Sequence, residues 1–517
     1  MMGEGSMVGI LWMFLFTSSP HTVSDTPLED TSVVATVGPF TIAQRDLLDS
    51  YEFGPAFVKR LPDPLRRHLD YMIDERLLAL DAERLRLDTT AFVRERVAAL
   101  EEDLAVDELY REEILSRVHL SDAELDTALQ KARMHVRLRW LYAPDKRNAE
   151  PLRARLAAGA TFDSLFVAMK DSPSDRSLET TVLSLEVNNP EFASAVRQLR
   201  VQETSAPLAG PDGYYIVRVD QIWQHPVLTE TEYEKLRADA ASALRAAKAS
   251  RLAGEYVKGK MRGVNPVIKA EGYNIVRAYL ADKGLSRDTR VKWNIPSTFM
   301  TEAGPMPLSA SEAFLSRPLV TYGARTLLVR DYLRWFDIRQ FQLKRTSLAA
   351  FNASVKQAIW KMVQDRLLSE EAYRRGLHTR TNVRRETHTW EAKLLYLAAR
   401  RRLQQSIVVP DSTLRAAYER IRKRSLGQNG KPLSFEEVRD ALWAESFAER
   451  ERELLFRTLQ TLRREHSVVI NEPLLRALTA RMQRDPHAIE LKVYKPGGTF
   501  PRVAFPTIDE RWQSFTR

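Results

Sequence analysis

Hydrophobic positions in this chain recur mainly at helical spacing. Leu69, Met72, Ile73, Leu77 and Leu80 step by three and four along residues 65–87, which predicts a long amphipathic helix. Another is expected over about 90–116, and Ser121-Asp-Ala-Glu124 opens a third with capping-box chemistry. Ahead of them, Val33–Val37, Gly38-Pro39 and Phe40–Ile42 read as a strand pair, with a helix beginning over 43–51. The rhythm then changes. His135-Val-Arg-Leu-Arg-Trp-Leu-Tyr142 alternates with period two, the mark of a half-buried strand. Residues 151–168 read as one helix with Gly159 as its weak point, and Asp171-Ser-Pro-Ser-Asp175 as a turn. Pro190-Glu-Phe-Ala-Ser-Ala-Val196 reads as a short helix opened by proline, Gly210-Pro-Asp-Gly213 as a hairpin turn and Tyr214–Val219 as a closing strand. Helical spacing returns over 229–261, one long charged helix expected to pack back on the N-terminal helices.

Much of the first pattern occurs again. Residues 319–328 repeat the strand pair, and Met362-Val-Gln-Asp-Arg-Leu-Leu368 parallels Met72–Leu78 at an offset of 290 (362 against 72). Pro410-Asp-Ser-Thr-Leu414 parallels Ser121-Asp-Ala-Glu-Leu125 at an offset of 289 (410 against 121). One near-constant offset across separate elements argues internal duplication. The second copy passes from a loop at Gly427-Gln-Asn-Gly430 straight into a long helix over 434–464, with no strand-rich insert between. The expected layout is a leader (1–32), a first helical module (33–133) interrupted by an α/β insert (134–225) and closed by a returning helix (226–262). A connecting region (263–318), a second helical module (319–475) and a tail (476–517) follow, the tail docking as an edge strand or staying extended.

Composition adds exclusions. The 517 residues contain no cysteine, which removes thiol catalysis, disulfides, Cys-ligated metals and an N-terminal lipid anchor on cysteine. The net charge of +10 comes from Arg and Lys spread among Asp and Glu, and no nucleic-acid fingerprint accompanies it. Residues 7–16 form an apolar run of signal-peptide length followed by small and polar residues, although no Lys or Arg precedes it. The expectation is an exported protein, periplasmic or otherwise extracytoplasmic. The histidines are scattered without metal-ligand spacing, so neither metal nor cofactor is expected.

Three stretches carry a resemblance: Ala160-Thr-Phe-Asp-Ser-Leu165 with Asp171-Ser-Pro-Ser174; Asn189–Ala195 with Leu199 and Glu203-Thr-Ser205; and Gly213-Tyr-Tyr-Ile-Val-Arg-Val219. In that order the insert resembles a parvulin-type (PpiC) peptidyl-prolyl isomerase domain. Val33–Ile42 followed by Tyr71–Leu78 and Ala82-Glu-Arg84 resembles the N-terminal module of SurA-type periplasmic chaperones. The resemblance implies a mainly α protein: a duplicated SurA-like helical chaperone module with a small inserted α/β domain. The function it implies is a holdase for unfolded envelope or outer-membrane proteins, with an active isomerase as the alternative and a structural subunit of an envelope assembly as a third reading. The partners implied are unfolded or extended polypeptides and envelope components. Scattered Arg residues would add attraction for acidic chains and lipid headgroups at a membrane surface.

In catalytic parvulins two histidines, one on the first strand and one on the last, face each other beneath a proline pocket. Matched strand by strand, Trp140 and Tyr215 occupy those places here, and Ser177–Leu185 replaces the expected glycine-rich stretch. Core packing is the reading for both rings, which also remain candidates to line a peptide groove. Phe192 matches a pocket phenylalanine of the family and equally suits an anchor for its short helix. His135 and His225 lie too far along the strands to substitute, and Asp171 and Asp175 suit turns better than acids. Trp335, Phe336 and Phe341 are candidates for an apolar client-binding surface in the second module.

Overall fold

The computed structural model describes residues 32–169, 176–188, 190–210, 213–224, 226, 229–297, 300–301, 304–305, 308–339, 341–422, 433–484 and 505–515. The apolar run at 7–16, the turns at 171–175 and 427–430, and residues 491–494 of the tail, read as an edge strand or an extended segment, lie outside them. The chain is mainly α-helical, with three small sheets and a two-residue ladder among the described residues. Among the described residues no helix is long and apolar enough to cross a membrane.

Contacts divide the chain into two compact units. One is Leu109–Glu371; the other combines Ser24–Glu108, Ala372–Pro496 and Pro501–Arg517. Both boundaries fall inside helices, Ala91–Glu113 and Leu348–Arg374. Grouping by contact therefore differs from grouping by order along the sequence.

In the split unit, Val33–Val37 and Phe40–Ala43 form a hairpin that turns at Gly38. Its third strand is Val468–Ile470, antiparallel to the first, with Ala35 opposite Ile470 and Val37 opposite Val468. The Gly38 N–H donates to the Ser467 carbonyl and the Asn471 N–H to the Val34 carbonyl, extending the ladder at both ends. Pro64–Arg84 begins with proline in its first turn, where a missing N–H costs nothing. It buries Leu65, Leu69, Ile73, Leu77 and Leu78 against Leu395 and Tyr396 of Thr381–Gln405 and against Leu455 and Leu459 of Phe435–Glu465. The long helix starts on a capping box made by Ser434 and Glu437.

The other unit contains a hairpin of the same kind, Pro318–Tyr322 with Arg325–Leu328. Both hairpins carry a register shift after the first paired residue and a turn glycine at φ +54°, Gly38 and Gly323. The third strand here is Val267–Ile268, which follows the Glu230–Met261 helix. Ala270–Gly284 and Arg287–Lys292 are helices in a region whose sequence shows no dominant period.

The insert is a four-stranded antiparallel sheet ordered Ser177–Thr181, Met134–Ala143, Tyr214–Gln224, Leu208–Ala209. Met134 pairs with Gln224, so the chain enters and leaves the sheet side by side. Helix Asp122–Arg133 packs on Glu230–Met261 and Val182–Asn188 through Ala128, Leu129, Leu183 and Ala240. The single helix expected over 151–168 is two: Lys146–Ala157, capped by Asp145, and Phe162–Val167, capped by Thr161. Gly159 at φ +96° breaks it in a backbone region that other residues avoid.

Candidate peptide-binding site

Alternation along the insert strands sends one set of side chains to each face. Val136, Leu138, Trp140, Tyr215, Val217 and Val219 share a face with Leu185, Ala193 and Val196 from helices Val182–Asn188 and Pro190–Val196. Trp140 is 5% exposed and Tyr215 3%. They are not directly opposed: Trp140 pairs across the strands with Val217, and Tyr142 pairs with Tyr215. The Tyr215 ring lies 5.5 Å from Tyr142 and meets Phe192 edge-on at 5.3 Å. Gly210 makes this possible, since a Cβ there would stand 2.5 Å from Tyr215 Cε2. Of the three candidates only Phe192 is half-open to solvent. The face offers aromatic surface and apolar contact, and neither an indole nor a phenol replaces a pair of imidazoles in proton sharing.

The opposite face holds Leu141 and Ile216 under Phe162, Leu165 and Phe166. It also holds charges that sequence reasoning missed. The Arg218 guanidinium, 5% exposed, donates from both terminal nitrogens to Asp163 at 3.1 Å and from Nε to Asp220 at 2.7 Å. Arg139 joins the same two carboxylates, reaching Asp163 at 2.9 Å. Arg218 lies 4.3 Å over the Phe162 ring, and Arg176 lies 4.2 Å over Phe166 while donating to the Phe166 carbonyl. Hydrogen bonds from Arg218 hold the Asp163 carboxyl below its ordinary range, against the opposing pull of burial. The network pins the short Phe162–Val167 helix to the sheet. The only signal for it was arginine at alternate strand positions, which reads equally well as a solvent face.

Trp335, Phe336 and Phe341 gather elsewhere, around the fully buried Tyr332. Ring centroids lie 5.9 Å from Tyr332 to Trp335, 5.8 Å from Tyr332 to Phe336 and 6.3 Å from Trp335 to Phe341. Trp335 Nε1 donates to Asp365 at 3.1 Å. All three rings are half-buried, each turning part of its surface to the core. The six candidates thus fall into two groups of three.

Of the strand-end histidines, His135 stacks on Trp223 at 5.4 Å, and His225 lies outside the described residues. Among the described residues no three His, Asp or Glu side chains come together as metal ligands. A second polar cluster missed in the sequence lies in the split unit. There Glu75, Lys393, Tyr396, Arg400, Glu451 and Asp509 form a buried chain of hydrogen bonds beside a cavity of about 30 Å³.

Residues 122–235 match the family described as the PPIC-type PPIASE domain, a span that covers the sheet and its helices. Among solved structures the chain is similar to the peptidylprolyl isomerase PrsA of Bacillus anthracis, at 14% identity and TM-score 0.21 over 38% of this chain and 99% of that one. It is also similar to PrsA of Bacillus cereus, at 15% identity and TM-score 0.19 over 44% and 92% of the two chains. For PrsA of Bacillus subtilis the figures are 15%, 0.16, 44% and 93%. No curated protein matches the sequence.

Proposed function

We propose, from the premise that residues 122–235 form a parvulin-type (PPIC-type) peptidyl-prolyl isomerase domain, that this chain is an exported holdase whose isomerase site has lost its chemistry. The observation that carries the reading is the state of the sheet face. Trp140 and Tyr215 stand where the family resemblance calls for histidines, and both are packed away beneath helix Pro190–Val196. Rotation about an X–Pro amide needs a site that desolvates the amide and meets its twisted form with preorganised dipoles. A filled aromatic core does neither. What remains is a helical protein with aromatic surface for extended chains, its clients being unfolded envelope or outer-membrane proteins. The apolar run at 7–16 supports export to the periplasm, with peripheral membrane contact through surface arginines. The two hairpins, together with the helical segments that repeat at offsets of 290 and 289, support a duplicated, SurA-like helical module.

The test pairs two assays on the full chain. Cis-to-trans conversion of a short proline peptide should run at the uncatalysed rate, while aggregation of an unfolded outer-membrane-type client should be suppressed near stoichiometric ratio. Acceleration of the peptide, lost in Phe192→Ala with the fold intact, would establish the second reading, an active isomerase. That reading draws on the half-open Phe192 ring beside Tyr215.

A further inference from the structure

Residues 505–515 bind to the split unit as a ligand binds a groove. Phe505–Asp509 runs without regular structure, and Glu510–Phe515 forms a short 3-10 turn. The segment follows Arg484 after the twenty residues 485–504. Three of its side chains point into the unit and are buried, Trp512 at 1% exposed, Ile508 at 2% and Phe515 at 6%, while Glu510, Arg511, Gln513 and Ser514 stay exposed. The floor is built by helices Pro64–Arg84 and Thr381–Gln405.

That floor reads several features of the segment separately. Tyr71 and Tyr396 stack on the Trp512 indole, with centroids at 5.2 and 6.2 Å. Glu75 Oε1 accepts the indole N–H at 3.0 Å and the Asp509 main-chain N–H at 2.8 Å. Lys393 Nζ donates to both Glu75 oxygens at 2.7 Å and so keeps that acceptor aimed. The Asp509 carboxylate accepts from Tyr396 Oη at 3.0 Å and from Arg400 at 3.1 Å. Arg400 also binds Glu451 at 3.0 Å and lies 5.1 Å over the Phe515 ring. An acid, an indole three residues on and a phenyl ring three further are each met by a dedicated group. Main-chain capture by a fixed side chain, with pockets for spaced side chains, is how grooves recognise extended peptides.

A second observation separates this segment from an ordinary core element. The cavity of about 30 Å³ lies directly beside it, walled by Phe505, Pro506 and Ile508 on one side and Glu75, Lys393 and Met72 on the other. The cavity is half-open to solvent, so this stretch lies at the mouth of the groove. The anchors at Asp509, Trp512 and Phe515 are filled, while the stretch leading to them leaves room.

We propose that residues 505–515 are a displaceable internal ligand. The groove between Pro64–Arg84 and Thr381–Gln405 is then a binding site for a segment of another polypeptide bearing a carboxylate three residues before an aromatic ring. This rests on the polypeptide-binding reading for its client, but the site itself is tested independently. The segment belongs to the same chain as its groove, so a competing segment from another molecule must outbind an intramolecular ligand or arrive in many copies.

The experiment uses the full chain and a fluorescent peptide of sequence FPTIDERWQSF. Trp512→Ala weakens the tail, so this variant should bind the labelled peptide at least about tenfold more tightly than the parent chain does. A peptide with the acid and the indole both replaced by alanine should not bind. A folded Trp512→Ala chain that fails to bind the parent peptide would overturn the proposal. If that variant does not fold, hydrogen exchange on the unaltered chain decides. Excess peptide should speed exchange over 505–515 while helices Pro64–Arg84 and Thr381–Gln405 stay protected; a tail that exchanges only together with those helices overturns it. Aggregation suppression is scored on the same samples. Suppression without peptide binding retains the holdase and rejects this site, whereas peptide binding without suppression retains the site and rejects the holdase.

Discussion

Acidification should destabilise the split unit through one histidine. His68 is fully buried on helix Pro64–Arg84, its Nε2 2.8 Å from Ser50 Oγ and its ring edge-on to Tyr51 at 5.4 Å. Burial first, and then the charges of Lys59 and Lys393, lower its pKa from 6.5 to about 3. A base with a depressed folded pKa takes up its proton more readily when unfolded. Unfolding therefore gains protons between those two values, and stability must fall as pH falls below about 6.5. With an unfolded pKa of 6.5 and a folded value of about 3, moving from pH 7 to pH 5 removes about 2 kcal/mol. Asp74 acts in the opposite sense. Burial raises its folded pKa to about 6 despite its ion pair with Arg463, so its contribution grows on acidification, by about 1 kcal/mol over the same interval. The parent profile is thus a partial cancellation, and the informative quantity is a difference. His68→Gln keeps a polar atom within reach of Ser50 and removes the titration. Urea unfolding of both chains, followed by hydrogen exchange over residues 64–84, should show the stability gap between parent and variant moving by about 2 kcal/mol from pH 7 to pH 5, in the variant's favour. Parallel profiles for the two chains would refute the argument.

Arg400→Met should destabilise the same unit by about 3–5 kcal/mol in denaturant titrations, because it strands the buried Glu451 and Asp509 carboxylates without their shared cation. Gly210→Ala forces a Cβ to within 2.5 Å of the Tyr215 ring and should cost about 1–3 kcal/mol, read as a lower melting temperature with weakened exchange protection over 214–224. Excising 134–224 and closing the gap with a short linker should leave helical circular dichroism and a cooperative melt, since Met134 and Gln224 are paired neighbours. Collapse of that shortened chain to an unfolded state would refute the independence of the insert.

Periodicity made the long helices readable. Leu69, Met72, Ile73 and Leu77 announced Pro64–Arg84, and the box at Ser121 placed the start of Asp122–Arg133 to the residue. Apolar spacing continues past Gly159 into Phe162 and Leu165, so periodicity reads one helix where the left-handed backbone at Gly159 makes two. The face shared by Trp140, Tyr215 and Phe192 followed from strand alternation and the family resemblance; the two-residue stagger between Trp140 and Tyr215 did not, because register depends on the partner strand. Arg139 and Arg218 looked like a wet strand face, and only the fold shows Asp163 and Asp220 closing over them. Trp512 carried no pattern at all. A lone aromatic in a proline-bearing tail has no period to read, and its partners Tyr71, Glu75 and Tyr396 lie more than a hundred residues away.

The third strand of the first hairpin sets a clock on biosynthesis. Val37 is made early, but Val468, which pairs with it, is made 431 residues later (468 against 37). At roughly 5–20 residues per second that is a wait of roughly 20–90 s. During it the Gly38 N–H and the Val34 carbonyl lack the partners they have in the finished protein, and the outer edge of Val33–Val37 stays open to pairing with any passing strand. The second hairpin has no such interval, because Val267–Ile268 leaves the ribosome before Pro318–Tyr322 does. A nascent chain that stalls or is cleaved before residue 468 therefore ends with one sheet sealed and the other exposed, and aggregation of such fragments should begin at Val33–Val37.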